Sequence, residues 1–348
     1  MQWGLLMLNP YELGQVAFRK INEIGQDGRN SKTFTAHDLQ LNADIVIKQV
    51  SKSSLTSPQE YFSESRALYA SAHPNVVQLH YACQDASNVF IAMPFYSNGS
   101  IKPLISNGAH LTVRRIVVLA CQTLSGLHNI HSKGLIHFDV KPDNILLSDR
   151  GDAMLSDFGL AKQMLGGVAH PGKFYTSMVP PEVLAGHSKF DLTYDIYQIG
   201  LTLYRMCVGN EEFNRQFQTY TNQTDFIRDV RAGTFPDRKR FPPHVPARLR
   251  TVIKKCLKVD PAERYQSAIE VANALATVDG PEMDWQLTEV SGTRTWAKNE
   301  GGTEIKLQVN AAGHATCVKV SPSGTERRIK AMCRSVTDGE IRTFLGET

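Results

Sequence analysis

Over residues 11–94 the apolar and polar positions fall into short β-rich runs, AFRKINEIG, KTFTAHDL and ADIVIKQV, separated by the turn formers Gly25, Asp27, Gly28, Asn30 and Asn42. Such runs broken by turn residues predict a three-stranded meander. The run PQEYFSESRALYASA changes to helical spacing at Tyr61, Ala67, Leu68 and Ala72, with Ser57-Pro58 placed to start a helix and His73-Pro74 to end it. VVQLHYAC and NVFIAMPF then predict two further strands. After YSNGS the period is helical: RRIVVLACQTLSGLHNIHSKG repeats apolar residues at i, i+3, i+4 and i+7 and stops at Gly134, a suitable C-terminal cap. Further helices are expected over 194–207, 225–232, 247–257 and 262–276. A β-rich lobe followed by a helical lobe predicts an α+β arrangement with a ligand-binding cleft. From about residue 281 alternation returns in TEIKLQVNA, TCVKV and RRIKAMC, around the turn SPSG, and DGEIRTFLG closes as a helical turn. This predicts a small β appendage.

Composition narrows the class without naming a function. The 348 residues, 42% hydrophobic, are enough for about two or three domains. A net charge of +4, with basic residues scattered except for the RKR at 238–240, gives no reason to expect nucleic acid as a partner. The six cysteines form no C-x-x-C pair, so neither a zinc site nor a disulfide framework is predicted, and reduced thiols in cytoplasm are expected. MQWGLLMLNP lacks a basic flank, and IVVLACQTLSGL is interrupted by Gln122 and Thr123. No signal peptide or membrane segment is predicted.

The chemistry is concentrated in GLIHFDVKPDNILL, residues 134–147, where Asp139, Lys141 and Asn144 lie between apolar runs. Phosphoryl transfer requires a phosphate-covering loop, a cation on the phosphates, metal ligands and an acid that orients the acceptor. The chain supplies these in order: IGQDGRNSKTF, IKQV, HFDVKPDN and SDFGLAK. Over residues 13–278 it resembles the eukaryotic-type (Hanks-type) Ser/Thr protein kinase family, most of all its soluble bacterial members. The resemblance implies a bilobal kinase domain over 1–280, with an N-lobe at about 11–94 and a C-lobe at about 97–280, and leaves 281–348 as a small β-rich module.

By that resemblance Lys48 holds the α and β phosphates of ATP and pairs with Glu64, with Glu60 one turn earlier as the alternative. Asp139 orients the substrate hydroxyl, Lys141 neutralises the transferring phosphate, and Asn144 and Asp157 bind Mg²⁺, with Mn²⁺ as a substitute. The nucleotide is further contacted by Gly25, Gly28 and Ser31, by the Pro94 carbonyl and by the Tyr96 N–H. His137 packs and hydrogen-bonds the loop, and Asp143 is a turn residue. Glu182 of VPPE pairs with Arg264 of DPAERY, and Asp195 of YDIYQIG bonds the backbone of the catalytic loop. The implied activity is transfer of the ATP γ-phosphate to Ser/Thr hydroxyls of protein substrates, autophosphorylation included.

Three features depart from the family pattern. The phosphate loop keeps two glycines and has Ser31 where a third is usual. Phe138 stands before the catalytic acid where regulated members carry an Arg that reads an activation-segment phosphate, so activity should not depend on that phosphate. QMLGGVAHPGKFYTSM has an unusual approach to the PPE element, with Thr176 or Tyr175 aligned to bridge Asp139 and Lys141. The alternatives are a nucleotide-binding pseudokinase scaffold and a small-molecule phosphotransferase. The tail is open between a substrate- or partner-binding module, an autoinhibitory flap and a packing extension.

Overall fold

Alternating burial along the strand Ala43–Ser51 sets the first sheet: Ile45 and Ile47 are buried on one face of this strand, packed with Ala36, Ala92, Phe18, Tyr81 and Phe90. The protein, a computed structural model, is described here over residues 14–24, 31–55, 57, 62–170 and 176–347. It divides into two units, residues 1–69 with 78–95, and residues 70–77 with 96–348. The first holds β1 (Phe18–Ile24), β2 (Ser31–Asp38), β3 (Ala43–Ser51), α1 (Ser63–Ala70), β4 (Tyr81–Gln84) and β5 (Asn88–Pro94). Its antiparallel sheet runs β1-β2-β3-β5-β4, the expected meander with β5 inserted beside β3.

The second unit begins its helical part with α2 (Val113–Ser132), capped by Thr112, whose hydroxyl accepts from Arg115 N, and followed by Gly134 at φ +73°. β6 (Leu135–Ile136) pairs with β9 (Lys162–Gln163), and β7 (Ile145–Leu147) with β8 (Ala153–Leu155). Then come α3 (Pro181–Leu184), α4 (Thr193–Val208), α5 (Asn210–Gln218), α6 (Gln223–Arg231), α7 (Ala247–Cys256) and α8 (Ala268–Leu275). Every residue of α4 is buried, which makes it the axis of this unit. The single helix expected over 262–276 is instead a 3-10 turn, Pro261–Glu263, followed by α8. Asp260 caps the turn by accepting from Ala262 N, Arg264 leaves the helical region to reach Glu182, and Ser267 recaps α8.

The tail is larger than the expected appendage. β10 (Gln286–Val290), β11 (Thr293–Glu300), β12 (Thr303–Val309), β13 (Ala315–Val320) and β14 (Glu326–Arg328) form one antiparallel sheet in sequential order, and α9 (Asp338–Glu347) is a ten-residue helix rather than one turn. RRIKAMC is only partly strand: β14 ends at Arg328, and a 3-10 turn brings in Met332. Trp285, Trp296, Leu307, Cys317, Ile341 and Leu345 form the core, and the Trp285 indole donates to Leu345 O at 3.0 Å. The helical part holds this sheet by its β10 edge. Glu289 N donates to Gly108 O at 3.0 Å, Gln286 donates to His110 O, and Arg114 meets Asp284 at 2.8 Å. Gly108 sits at φ +76°, and a Cβ there would collide with the Glu289 carbonyl.

Candidate functional site

In the first unit, the polar centre is a lysine brought to a helix. Lys48 lies on β3 opposite Ile91, and its Nζ meets Glu64 Oε1 on α1 at 2.7 Å, both side chains mostly buried. Partial burial of both members favours the charged pair over either charge alone. Glu64 is thus the partner; Glu60 lies outside the described residues, as do Gly25, Gly28 and Tyr175. Ser31 opens β2 opposite Val50, and Pro94 closes β5 opposite Ile45.

In the second unit, α4 presents polar groups along one stripe to the loop between β6 and β7. Asp195 accepts from His137 N and Phe138 N, both at 2.8 Å, and from the His131 ring at 2.8 Å. Gln198 accepts from Val140 N at 2.9 Å and donates to Phe138 O at 3.0 Å. Thr202 donates to Val140 O at 3.2 Å. Buried backbone groups require partners, and these three side chains supply them where no strand does. Asp195 was expected from sequence; Gln198 and Thr202 were not. Their signal was available as polar residues at i, i+3 and i+7 inside an otherwise apolar helix.

His137 is enclosed. Its Nδ1 accepts from Asp139 N at 3.2 Å, which leaves the proton on Nε2 to donate to Ser156 O at 3.0 Å. Burial holds its pKa below the usual histidine value, against the pull of Asp195 and Asp157, and its ring packs edge-on to Phe158 at 5.0 Å. This is the packing role read from sequence.

Asp139 is buried at the centre of the loop. Its Oδ2 receives Lys141 Nζ at 2.9 Å and Asn144 Nδ2 at 2.6 Å, while Oδ1 has no partner among the described residues. Burial pushes the carboxyl up to about 7; the Lys141 charge opposes this and the Asp157 carboxylate adds to it. Asn144 also donates to Asp139 O at 2.8 Å, so its N–H₂ faces the acid and its amide oxygen faces away. Asp157 adopts φ +61°, unusual for a residue with a side chain, and accepts from Gly159 N at 3.3 Å. One amide oxygen and one carboxylate fit a hard divalent cation, which takes oxygen ligands and keeps the remainder for phosphate and water. Asp143 is more than a turn residue. Burial would raise its pKa, yet Lys102 and Arg205, with Lys141, bring it below the usual value.

Around this loop two more sequence expectations are placed. Arg264 donates twice to Glu182, at 2.8 and 2.6 Å, with both side chains buried. Phe138, at φ +66°, fills a pocket against Tyr194 at 4.8 Å and Phe190 at 6.4 Å. Tyr96 O accepts from Gly99 N at 3.0 Å. All six cysteines are free, three buried and three half-buried. Among the described residues no helix is long and apolar enough to cross a membrane.

Residues 18–275 match the protein kinase domain family. The chain is 28% identical to the serine/threonine-protein kinase STE20 of Eremothecium gossypii, over 75% of its own length and 27% of that protein's. It is also 28% identical to a probable serine/threonine-protein kinase of Clostridium perfringens, over 79% of this chain and 39% of the other. The serine/threonine-protein kinase PknK of Mycobacterium tuberculosis shares 28% identity over 77% of this chain and 24% of its own length. The chain thus spans between about a quarter and two-fifths of the curated relatives it matches.

Proposed function

The chain belongs to the protein kinase family, and on that premise we propose that it transfers the γ-phosphate of Mg-ATP to Ser and Thr hydroxyls of proteins, itself included, in the cytoplasm. The observation that carries this reading is the Oδ1 of Asp139: a buried carboxylate oxygen without a partner among the described residues, on a side chain whose other oxygen is held by Lys141 and Asn144. Such an atom is costly in an idle protein and useful where a hydroxyl must be oriented.

In the proposed mechanism Asp139 accepts a hydrogen bond from the acceptor hydroxyl and takes its proton as the oxygen–phosphorus bond forms, while the bond from the γ-phosphorus to the β–γ bridging oxygen breaks and ADP leaves with that oxygen. Its pKa near 7 suits both duties at neutral pH. Lys141 stands 2.9 Å from Asp139 and balances charge on the oxygens in transfer. Asn144 and Asp157 would hold Mg²⁺, which when bound with ATP supplies positive charge to the phosphate oxygens. Lys48, fixed by Glu64, binds the α and β phosphates; the segment around Ser31, the Pro94 carbonyl and the Tyr96 N–H complete the nucleotide contacts.

Phe138 supports activity independent of an activation-segment phosphate, because an aromatic ring fills the place from which a cation would read one. The edge pairing of β10 and the buried Trp296 contact support residues 281–348 as an integral packing extension of the kinase domain.

The deciding experiment is transfer of labelled γ-phosphate, with Mg²⁺, to the protein itself and to a generic acceptor. Label on Ser or Thr, absent with Asp139→Ala and Asp157→Ala of native fold, is the expected result. Transfer that persists undiminished in Asp139→Ala would overturn the assignment.

A further inference from the structure

Two cations converge on Asp143, one buried and one half-exposed, and they differ in how firmly they are held. Arg205, on α4, is nearly inaccessible: its Nε and Nη2 donate to Asn210 Oδ1 at 3.0 and 2.8 Å, its guanidinium lies 5.2 Å from the Phe213 ring centre, and its Nη2 stands 3.6 Å from Asp143 Oδ2. Asn210 is fixed in turn by donating to Ser106 Oγ at 2.7 Å and to Lys102 O at 3.3 Å. Lys102 reaches the other oxygen, Asp143 Oδ1, at 2.6 Å with 47% of its side chain exposed. Nearby, Lys141 already pairs with Asp139.

One carboxylate therefore faces two positive charges, and only Lys102 can leave. Arg205 is held by planar hydrogen bonds and burial and neutralises Asp143 by itself; Lys102 is a point charge on a flexible stem in a solvent-exposed pair that is weakly held. Its anchor, Asp143, shares the turn Pro142–Asn144 with Asn144, whose amide bonds Asp139 Oδ2 at 2.6 Å, so a released ammonium stays close to the acid that orients the acceptor hydroxyl. An anionic side chain there gains a partner, whereas a cationic one meets the like charges of Lys102 and Arg205, and the Asp143 carboxylate it would seek is already neutralised by Arg205.

We propose that this site selects protein segments with Glu or Asp beside the acceptor Ser or Thr, and that Lys102 is the residue that recognises them. The inference rests on the phosphotransfer reading above and names the substrate class of that site.

The test presents the full chain and Mg-ATP with an equimolar mixture of three peptides that differ only in whether Glu, Gln or Lys flanks one central Ser. Total label reports the phosphotransfer reading; its distribution among peptides reports the inference. The Glu peptide should lead the Gln peptide in kcat/KM by about tenfold, carried by KM, and the Lys peptide should come last. Lys102→Arg should retain this order, and Lys102→Glu should invert it, which loss of a merely structural contact would not do. Equal use of the three peptides, preference for the Lys peptide, or an order unchanged in Lys102→Glu would overturn the inference while label still accumulates. No label at all would overturn both readings.

Discussion

The Trp296 indole donates its N–H to Nδ1 of His244 at 3.0 Å, and both rings are buried where the C-terminal sheet meets the helical part. Burial, with the nearby His110 adding to it, lowers the His244 pKa to about 3 from its ordinary 6.5. The folded protein refuses a proton that the unfolded chain accepts. Stability from this group is therefore complete above about pH 6.5 and drains away as pH falls from there toward 3, at up to about 1.4 kcal/mol per unit. His244→Asn keeps an acceptor for the indole but cannot be protonated. Between pH 6.5 and 4.5 the variant should lose about 2–3 kcal/mol less stability to urea than the parent. Parallel pH curves for the two proteins would exclude the neutral buried histidine as the cause.

Arg264 has all of its donors engaged, two N–H groups on Glu182 and the rest on the carbonyls of Thr193, Lys258 and Val259. Removing Glu182 leaves a buried guanidinium without its counter-charge. Glu182→Ala should cost about 3–5 kcal/mol in chemical denaturation, while Glu182→Met with Arg264→Met should recover most of it, because paired apolar replacements remove both charges from the interior. A double variant as unstable as the single one would show that the pair's geometry, not its charge balance, sets the cost.

Much of this was legible in sequence because chemistry demanded particular residues at fixed spacing. The resemblance to the kinase family singled out Lys48, Glu64, Asp139, Lys141, Asn144 and Asp157, of which Lys48 meets Glu64 and Asp139 meets Lys141 and Asn144, and β-rich runs between turn formers marked β1, β2 and β3. α5 was missed because its inward face includes Asn210 and Gln216, polar residues that are buried only because Arg205 and Tyr204 bond to them. β10 and β11 were missed for a related reason. QLTEV carries one buried apolar residue, and TRTWAKNE places Lys298 at an inward position, where it is buried beside Trp285 and paired to Glu300. Hydrophobic period cannot register an inward face made of satisfied polar groups. The attachment of the tail was equally silent, since much of it runs through backbone atoms of Gly108 and Glu289.

That attachment predicts a specific sensitivity. Gly108→Ala meets both a left-handed backbone and the Glu289 carbonyl, whereas Gly186→Ala, at φ +88° with open space around it, meets the backbone strain alone. Gly186→Ala should cost about 1–2 kcal/mol, and Gly108→Ala clearly more. Hydrogen exchange should rise along β10 in the Gly108 variant and stay unchanged there in the Gly186 variant. Equal costs and an unperturbed β10 would mean that the 108–109 contact does not hold the sheet.

Phe138 makes the last prediction, and it joins packing to regulation. The ring is buried against Tyr194 and Phe190, so this position has no charge with which to read a phosphate on the activation segment. Enzyme treated with phosphatase, and then freed of it, should keep its initial rate within about twofold in the first turnovers, before the proposed autophosphorylation could restore any phosphate; a cation-reading kinase under the same treatment would fall much further. Phe138→Arg separates the two roles of the residue. It places an unpaired charge among aromatic rings and should destabilise the protein by about 3 kcal/mol or more. If the variant instead folds normally and its activity becomes dependent on phosphorylation, the pocket can accommodate a cation and Phe138 is there to suppress that dependence. If the parent loses most of its activity on dephosphorylation, a phosphate acts through some other group and the regulatory reading of Phe138 fails, although its packing role stands.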